Sequence, residues 1–231
     1  MKKLSALAAL FCTMTLASCS ADAAKSETPA PTTEDQKTLY ALGVLMSQSL
    51  NTFELKPDEF AMVQKGLSDG VTGAKPAVKA EDYIPKVQAL QQARLKVAQE
   101  KSEKAGTEYL AKAAAEAGAT KTASGMVIKQ TKPGTGASPK AEDQVKVHYE
   151  GRLIDGKVFD SSIARGEPAT FPLNQVIACW TEGVQTMKVG GKAQFVCPAN
   201  LAYGDRGSPP KILPGATLVF DVELLEIVQP K

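Results

Sequence analysis

The hydrophobic repeat changes once along this chain, near Met126, and nothing else in the sequence restricts its fold as much. Before that point apolar residues recur at helical spacing. After it they alternate with polar residues at a period of two. The pattern predicts an α+β protein, with helices first and then an antiparallel sheet.

In the helical part, Thr33-x-x-Gln36 has the form of a capping box, in which each side chain satisfies an orphan backbone N–H of the first turn. Leu39, Gly43, Met46 and Leu50 follow at helical spacing, and Tyr40, Leu42, Val44 and Leu45 widen the apolar surface beyond one stripe. A second helix is expected from Pro57-Asp58-Glu59, where an early proline and acids suit a helix start. Its face is Phe60, Val63, Leu67 and Val71. Gly66 and Gly70 weaken it but would admit another backbone at close range. A third helix is predicted from Asp82 to about Gly118, with Pro85 tolerated in the first turn. At 1.5 Å per residue it would be about 54 Å long. Its thin stripe of Val87, Leu90 and Val97, and the acid-first pairs Glu100/Lys104 and Glu108/Lys112, suit an exposed arm more than a core element, with Gly106 as a weak point. Two short helices and an arm bury too little surface to stand alone. Self-association through residues 34–75 is therefore expected. No sustained heptad supports a solitary coiled coil.

In the sheet part, Val145, Val147 and Tyr149 alternate with Lys146, His148 and Glu150, which makes His148 a surface residue. Gln194 to Cys197 and Leu218 to Val228 are further strands, the latter broken by a bulge at Leu224-Leu225. Asp155-Gly156 is a hairpin turn. Cys179 to Met187 is one short helix carrying Trp180, Val184 and Met187 on one side. The chemistry this leaves is narrow. His148 is the only histidine, so no protease or esterase triad and no metal site is expected. A net charge of +2 offers nothing to nucleic acid.

The blocks VHYEGRLIDGKVFDSS (147–162), QVIACWTEGVQTMKVGGKAQFVCP (175–198), LAYGDRG (201–207) and ILPGATLVFDVELL (212–225) together resemble the FKBP-type peptidyl-prolyl cis-trans isomerases, in order and over about half the chain. The helical part resembles the dimerisation domain of periplasmic FKBP-type isomerases and macrophage infectivity potentiator proteins. The resemblance implies a sheet wrapped around one short helix, and rotation about X–Pro amides without a cofactor. It makes Trp180 the pocket floor, with Tyr149, Phe159, Val176, Ile177 and Phe220 as walls and Tyr203 and Ile212 at the rim. Tyr149, Tyr203 and the Ile177 N–H become candidate donors to substrate carbonyls. Asp160 would pair with Arg165, lie near the twisting amide and orient Tyr149. Without the motif spacing, Phe159, Val176 and Phe220 would read simply as core. Ala169 departs from the family, standing where many members carry an aromatic wall residue, and Phe171 is the candidate substitute. Cys179 stands where glycine is frequent. The implied partners are unfolded or proline-containing polypeptides, a second copy of the chain, and a macrolide ligand. The alternative is a non-enzymatic chaperone or surface lipoprotein with a vestigial pocket.

Lys2, Lys3 and the short apolar run Leu4–Leu16 read as a secretory signal. Leu16-Ala17-Ser18-Cys19 resembles a bacterial lipoprotein signal, with Cys19 lipid-modified and Ser20 directing the protein to the outer membrane. A cut after Ala21-Asp22-Ala23 is the alternative. The expected organisation is a signal peptide over 1–18, a tether over 19–32, a helical dimerisation domain over 33–118 and an isomerase domain over 119–231, all outside the cytoplasm. Cys179 and Cys197 remain after processing. They are expected to form a disulfide, with two buried free thiols as the alternative.

Overall fold

In the computed structural model, which describes residues 30–228, the Thr33–Gln36 capping box is formed. The Gln36 N–H donates to Thr33 Oγ1 and the Thr33 N–H to Gln36 Oε1, each at 3.2 Å. The signal peptide, Cys19 and nearly all of the tether lie outside the described residues. Helix α1 spans Glu34–Ser47 and α2 Pro57–Thr72, joined by a 3-10 turn at Gln48–Phe53. The chain divides into two units at Tyr40–Ala41, within α1. Neither α1 nor α2 contains a buried residue. In α2, Leu67 is 45% exposed and Val71 87%. The segment holds to the third helix, α3 (Ile84–Ala114), through polar ties. Arg94 pairs with Glu59, and the Gln91 side chain donates to Thr52 Oγ1 at 2.9 Å. Gly66 and Gly70 have no atom within 4 Å of an added Cβ.

Helix α3 is 31 residues long and does not behave as an exposed arm throughout. Ala98, Gly106 and Ala113 are buried. Ala113, with Tyr109 and Leu110, packs on Val127, Val196 and Val219 to form a second core cluster. These small residues let the helix lie close to the sheet. Gly106 is a contact point, since a Cβ there would sit 2.2 Å from Thr217 Oγ1. The expected Glu100/Lys104 and Glu108/Lys112 ion pairs do not form among the described residues. Exposed pairs of this kind gain too little to hold two long side chains in place.

The sheet contains β1 (Ala119–Lys121), β2 (Val127–Lys132), β3 (Gln144–Leu153), β4 (Val158–Ser161), β5 (Ala169–Pro172), β6 (Lys192–Cys197) and β7 (Leu218–Val228). All pairings are antiparallel, in the order β1-β2-β6-β7-β3-β4, with β5 also on β3. The β3–β4 turn falls at Asp155-Gly156, with the Leu153 N–H donating to Lys157 O at 2.9 Å. The bulge in β7 is Leu225, since Lys146 opposes Glu226 and Val147 opposes Leu224. Helix α5 (Ala178–Gln185) packs Cys179, Trp180, Gly183 and Val184 into a core shared with Val145, Val147, Phe195, Leu218 and Leu224. Cys179 at the start of α5 is bonded to Cys197 at the end of β6, with Cα atoms 5.8 Å apart. A short helix, α4 (Ser162–Arg165), was not anticipated from the sequence.

Candidate active site

Strand β3 is paired unevenly along one edge. Its partner β5 reaches only to Val147, and β4 begins only at Glu150. His148 and Tyr149 fall in the gap. Ser162, fully buried at the start of α4, fills it. Its hydroxyl accepts the Tyr149 N–H at 2.8 Å and lies 3.1 Å from His148 Nδ1. This fixes the backbone that carries Tyr149 where the sheet alone would leave it loose.

Tyr149 faces inward toward α5, and an aromatic cluster forms there. Trp180, 4% exposed, meets Tyr149, Phe220 and Phe171 edge-on, with ring centroids 5.1, 5.5 and 5.8 Å away. Phe159 meets Phe220 at 5.7 Å in the same manner. Edge-to-face packing of this kind is favoured by the ring quadrupoles and adds to the gain from burial. Above Trp180 lies a cavity of about 350 Å³, lined by Tyr149, Phe159, Asp160, Phe171, Gln175, Val176, Ile177, Trp180, Tyr203 and Phe220.

Most of the expected site residues therefore meet in one place, and three details differ. Ile212 is buried in the core and does not line the cavity, because its reciprocal backbone pairing with Ser208 turns the loop inward there. Arg165 lies outside the lining and acts on it through Asp160 and Tyr149. Gln175, not expected, is part of the wall. It adjoins Val176, but its polarity kept it out of a reading based on apolar residues. Phe171 occupies the wall beside Tyr149 and Trp180, so the aromatic surface missing at Ala169 is supplied two residues on.

The polar groups form one connected set. The Tyr149 hydroxyl donates to Asp160 Oδ2, Arg165 pairs with Asp160 Oδ1, and Arg165 Nη2 also donates to the Tyr149 hydroxyl at 3.1 Å. Burial pushes the Asp160 carboxyl up, but the Tyr149 hydrogen bond and then Arg165 outweigh it and hold the group below its ordinary value. Burial raises the Tyr149 hydroxyl, and its bond to Asp160 adds to this. Burial, then the Asp160 charge, raises the Tyr203 hydroxyl as well. Both phenols stay protonated. The Ile177 N–H, at the mouth of α5, makes no hydrogen bond among the described residues. No three His, Cys, Asp or Glu side chains among the described residues cluster in a way that could hold a metal ion.

A protein-family model for the domain amino terminal to FKBP-type peptidyl-prolyl isomerase matches residues 35–129, and the FKBP-type peptidyl-prolyl cis-trans isomerase model matches residues 136–225. The FKBP-type peptidyl-prolyl cis-trans isomerase FkpA of Aeromonas hydrophila is 44% identical over 208 residues, covering 85% of this chain and 77% of the relative. The chain belongs to the FKBP-type peptidyl-prolyl cis-trans isomerases. The outer membrane protein MIP of Legionella longbeachae is 35% identical, covering 85% of this chain and 87% of the relative. The crystal structure of FkpA from Escherichia coli matches with a TM-score of 0.64 at 37% identity, covering 86% of this chain and 98% of that one. The chain is thus an isomerase of X–Pro peptide bonds, with a helical amino-terminal region, a long helix and then an antiparallel sheet.

Proposed function

We propose that the cavity over Trp180 carries the isomerisation and that the helical region makes the protein a dimeric folding assistant outside the cytoplasm. Rotation about an amide costs about 18–20 kcal/mol because it sacrifices C–N resonance. The twisted amide has lost charge separation, so an aromatic cavity favours it over the planar ground state. Trp180, Phe159, Phe171, Val176 and Phe220 supply that surface and receive the proline ring. Tyr203 and the Ile177 N–H donate to flanking carbonyls and confine the peptide to a turn, while Tyr149, whose one hydroxyl proton is given to Asp160, holds that carboxylate in place. Asp160, held ionised by Tyr149 and Arg165, stands beside the rotating bond.

The observation that carries this reading is the bonded set of Tyr149, Asp160 and Arg165 at an aromatic cavity, beside an Ile177 N–H that makes no hydrogen bond among the described residues. Asp160→Leu, Tyr149→Ala and Trp180→Ala are each expected to lower kcat/KM on a proline tetrapeptide by tenfold or more. Normal turnover in both Asp160→Leu and Tyr149→Ala rejects this placement of the site.

The dimer rests on apolar surface that α1 and α2 leave uncovered, with Leu39 67% exposed and Met62 68%. Residues 34–75 of two copies would cover it. A pair of isomerase domains held by one helical base would bind an unfolded client at more than one point and gain effective concentration. The signal-like segment, Cys19 as lipid anchor and the Cys179–Cys197 bridge together support an outer-membrane location in an oxidising compartment. The open aromatic cavity is also of a kind that admits a macrolide.

A further inference from the structure

We propose that α3, the long helix shared with the amino-terminal region, positions the Tyr203 side of the cavity, and that Gln99 is the residue through which it does so. The proposal rests on the reading above that Tyr203 acts at the cavity rim. Tyr203 sits in the long connection between β6 and β7, residues 198–217, which contains only two 3-10 turns, at Ala199–Leu201 and Gly204–Arg206. The segment's own hold is the Ser208–Ile212 backbone pairing and the packing of Ile212, Leu201 and Ala202 on the core. Among the described residues, side-chain hydrogen bonds tie it to the rest of the protein at two places. At one side the Lys211 side chain donates to the Phe159 carbonyl at 3.0 Å. At the other side it lies against α3.

That second contact is close and specific. The Gln99 side-chain amide donates to Asp205 Oδ1 at 3.0 Å and to Glu103 Oε1 at 2.9 Å, so one amide group links the helix to the turn next to Tyr203. Gly215 passes the same face of α3 with no space to spare. A Cβ there would lie 3.0 Å from Gln99 Cγ and from Glu103 Cγ, and 3.1 Å from the Gln99 carbonyl oxygen. On its other side the Gly215 N–H donates to the Gly204 carbonyl at 3.0 Å. The path from helix to site is therefore short: Gln99 and Glu103 press on Gly215, Gly215 holds Gly204, and Gly204 follows Tyr203, whose own carbonyl accepts the Gly207 N–H at 3.1 Å. Around these points the two surfaces separate. A groove of about 340 Å³, lined in part by Thr107, Leu110, Asn200 and Thr217, runs between them. The hold is local, and one side chain makes its directional part.

Gln99 is thus a positioning residue, not a catalytic one. It stands outside the cavity and outside the half of the chain matched by the isomerase model. The long helix is part of how the site is built as well as a spacer.

The test uses the full soluble chain and a short Leu-Pro tetrapeptide, with exchange rates read by NMR, so that client binding plays no part. Gln99→Ala is expected to lower kcat/KM about three- to tenfold, the worth of one hydrogen bond, with the melting temperature little changed. Gln99→Glu puts a third carboxylate beside Glu103 and Asp205 and is expected to lower it further. Gln99→Lys restores a donor to both and is expected to recover most of the loss. The deciding measurement is a double-mutant cycle with Tyr203→Phe. If the helix acts through Tyr203, Gln99→Ala costs little more once the hydroxyl is gone. Full activity in Gln99→Ala, no recovery in Gln99→Lys, or additive losses in the double variant each overturn the proposal. A silent Tyr203→Phe also overturns it, and marks Tyr203's role as the part of the reading that failed; a silent Gln99→Ala beside an impaired Tyr203→Phe marks the brace.

Discussion

The two halves of this chain treat their apolar residues in opposite ways. In the sheet half, Val145, Val147, Phe195, Leu218 and Leu224 are completely buried. In α1 and α2 no residue is buried, and Leu39, Leu45, Met62 and Val71 are all more than half exposed. The first half-molecule can satisfy itself because a seven-stranded sheet folded over α5 has an inside. Two helices of 14 and 16 residues have none. What looks like a helical domain of its own leaves its apolar faces uncovered in the single chain, and the isomerase half is what a single chain can finish. Helix α3 crosses this divide, its first half largely exposed, with Val87, Leu90 and Val97 uncovered, and its second half packed on the sheet.

The largest effect is expected where the divide is drawn. A fragment beginning at Ala119 follows the sequence boundary but uncovers Val127, Val196 and Val219, which α3 hides. Exposing a buried valine costs about 1.5 kcal/mol or more, so the three together cost about 5 kcal/mol. That equals the whole stability of a marginal domain. The Ala119 fragment is expected to unfold at much lower urea than one beginning at Arg94, and to bind a hydrophobic dye. Equal midpoints would return α3 to the status of a simple arm.

This boundary also shows what was legible in the sequence. The change of period gave both halves, the Asp155-Gly156 turn and the Leu224-Leu225 bulge, since those depend on local chemistry and alternation. The cavity was legible in its aromatic residues because their spacing repeats a family pattern. Other features were hidden because they depend on partners distant in the chain. Gly106 reads as a helix weakness until Thr217 is seen against it. Ser162 reads as one of many serines until the gap between β4 and β5 leaves a Tyr149 N–H for it to accept. Ile212 was misplaced because a loop's direction follows from its own hydrogen bonds, here to Ser208, and not from its composition.

The next effect sharpens the contrast in self-association. Leu67→Glu with Val71→Glu alters only exposed positions of α2 and leaves every described core contact in place. If a second copy covers this face, the dimer dissociation constant is expected to rise by about a hundredfold or more. Isomerisation of a short peptide should stay within a factor of about two. Light scattering that finds the unaltered chain monomeric at micromolar concentration would remove the contrast altogether.

A smaller effect comes from the glycines, and its sign is informative. Gly106→Ala brings a methyl group onto the buried Thr217 and is expected to destabilise by about 1–2 kcal/mol net, overpacking outweighing the gain in helix propensity. Gly66→Ala meets nothing within 4 Å in the single chain. There alanine should stabilise α2 by about 1 kcal/mol if the position stays open. If a partner's backbone lies against it, the same substitution should instead weaken the dimer. Thermal melts at two protein concentrations separate the outcomes, because only the second depends on concentration.

The smallest effect is one of pH, and it compares two carboxylates held below their ordinary range, one in each region. Asp160 is lowered by Tyr149 and Arg165 against the opposing pull of burial. Glu59 is lowered first by the Lys56 N–H and then by Arg94. A depressed carboxyl contributes stability that is complete above its unfolded value and is lost as pH falls through the folded one. Both ties therefore hold at neutral pH and fail only in acid. Because the Tyr149 and Tyr203 hydroxyls are raised, nothing in the cavity titrates on the alkaline side until the phenols do. Expected kcat/KM is flat from about pH 5 to 9 and falls below the ordinary carboxylate range. Glu59→Gln should change the acid melting of the helical region and leave that activity profile where it was. Asp160→Asn should lower activity throughout and abolish the acid limb. A Glu59→Gln variant whose activity profile shifts in acid would mean that the two regions are coupled at this tie, and that the contrast between them ends at Arg94.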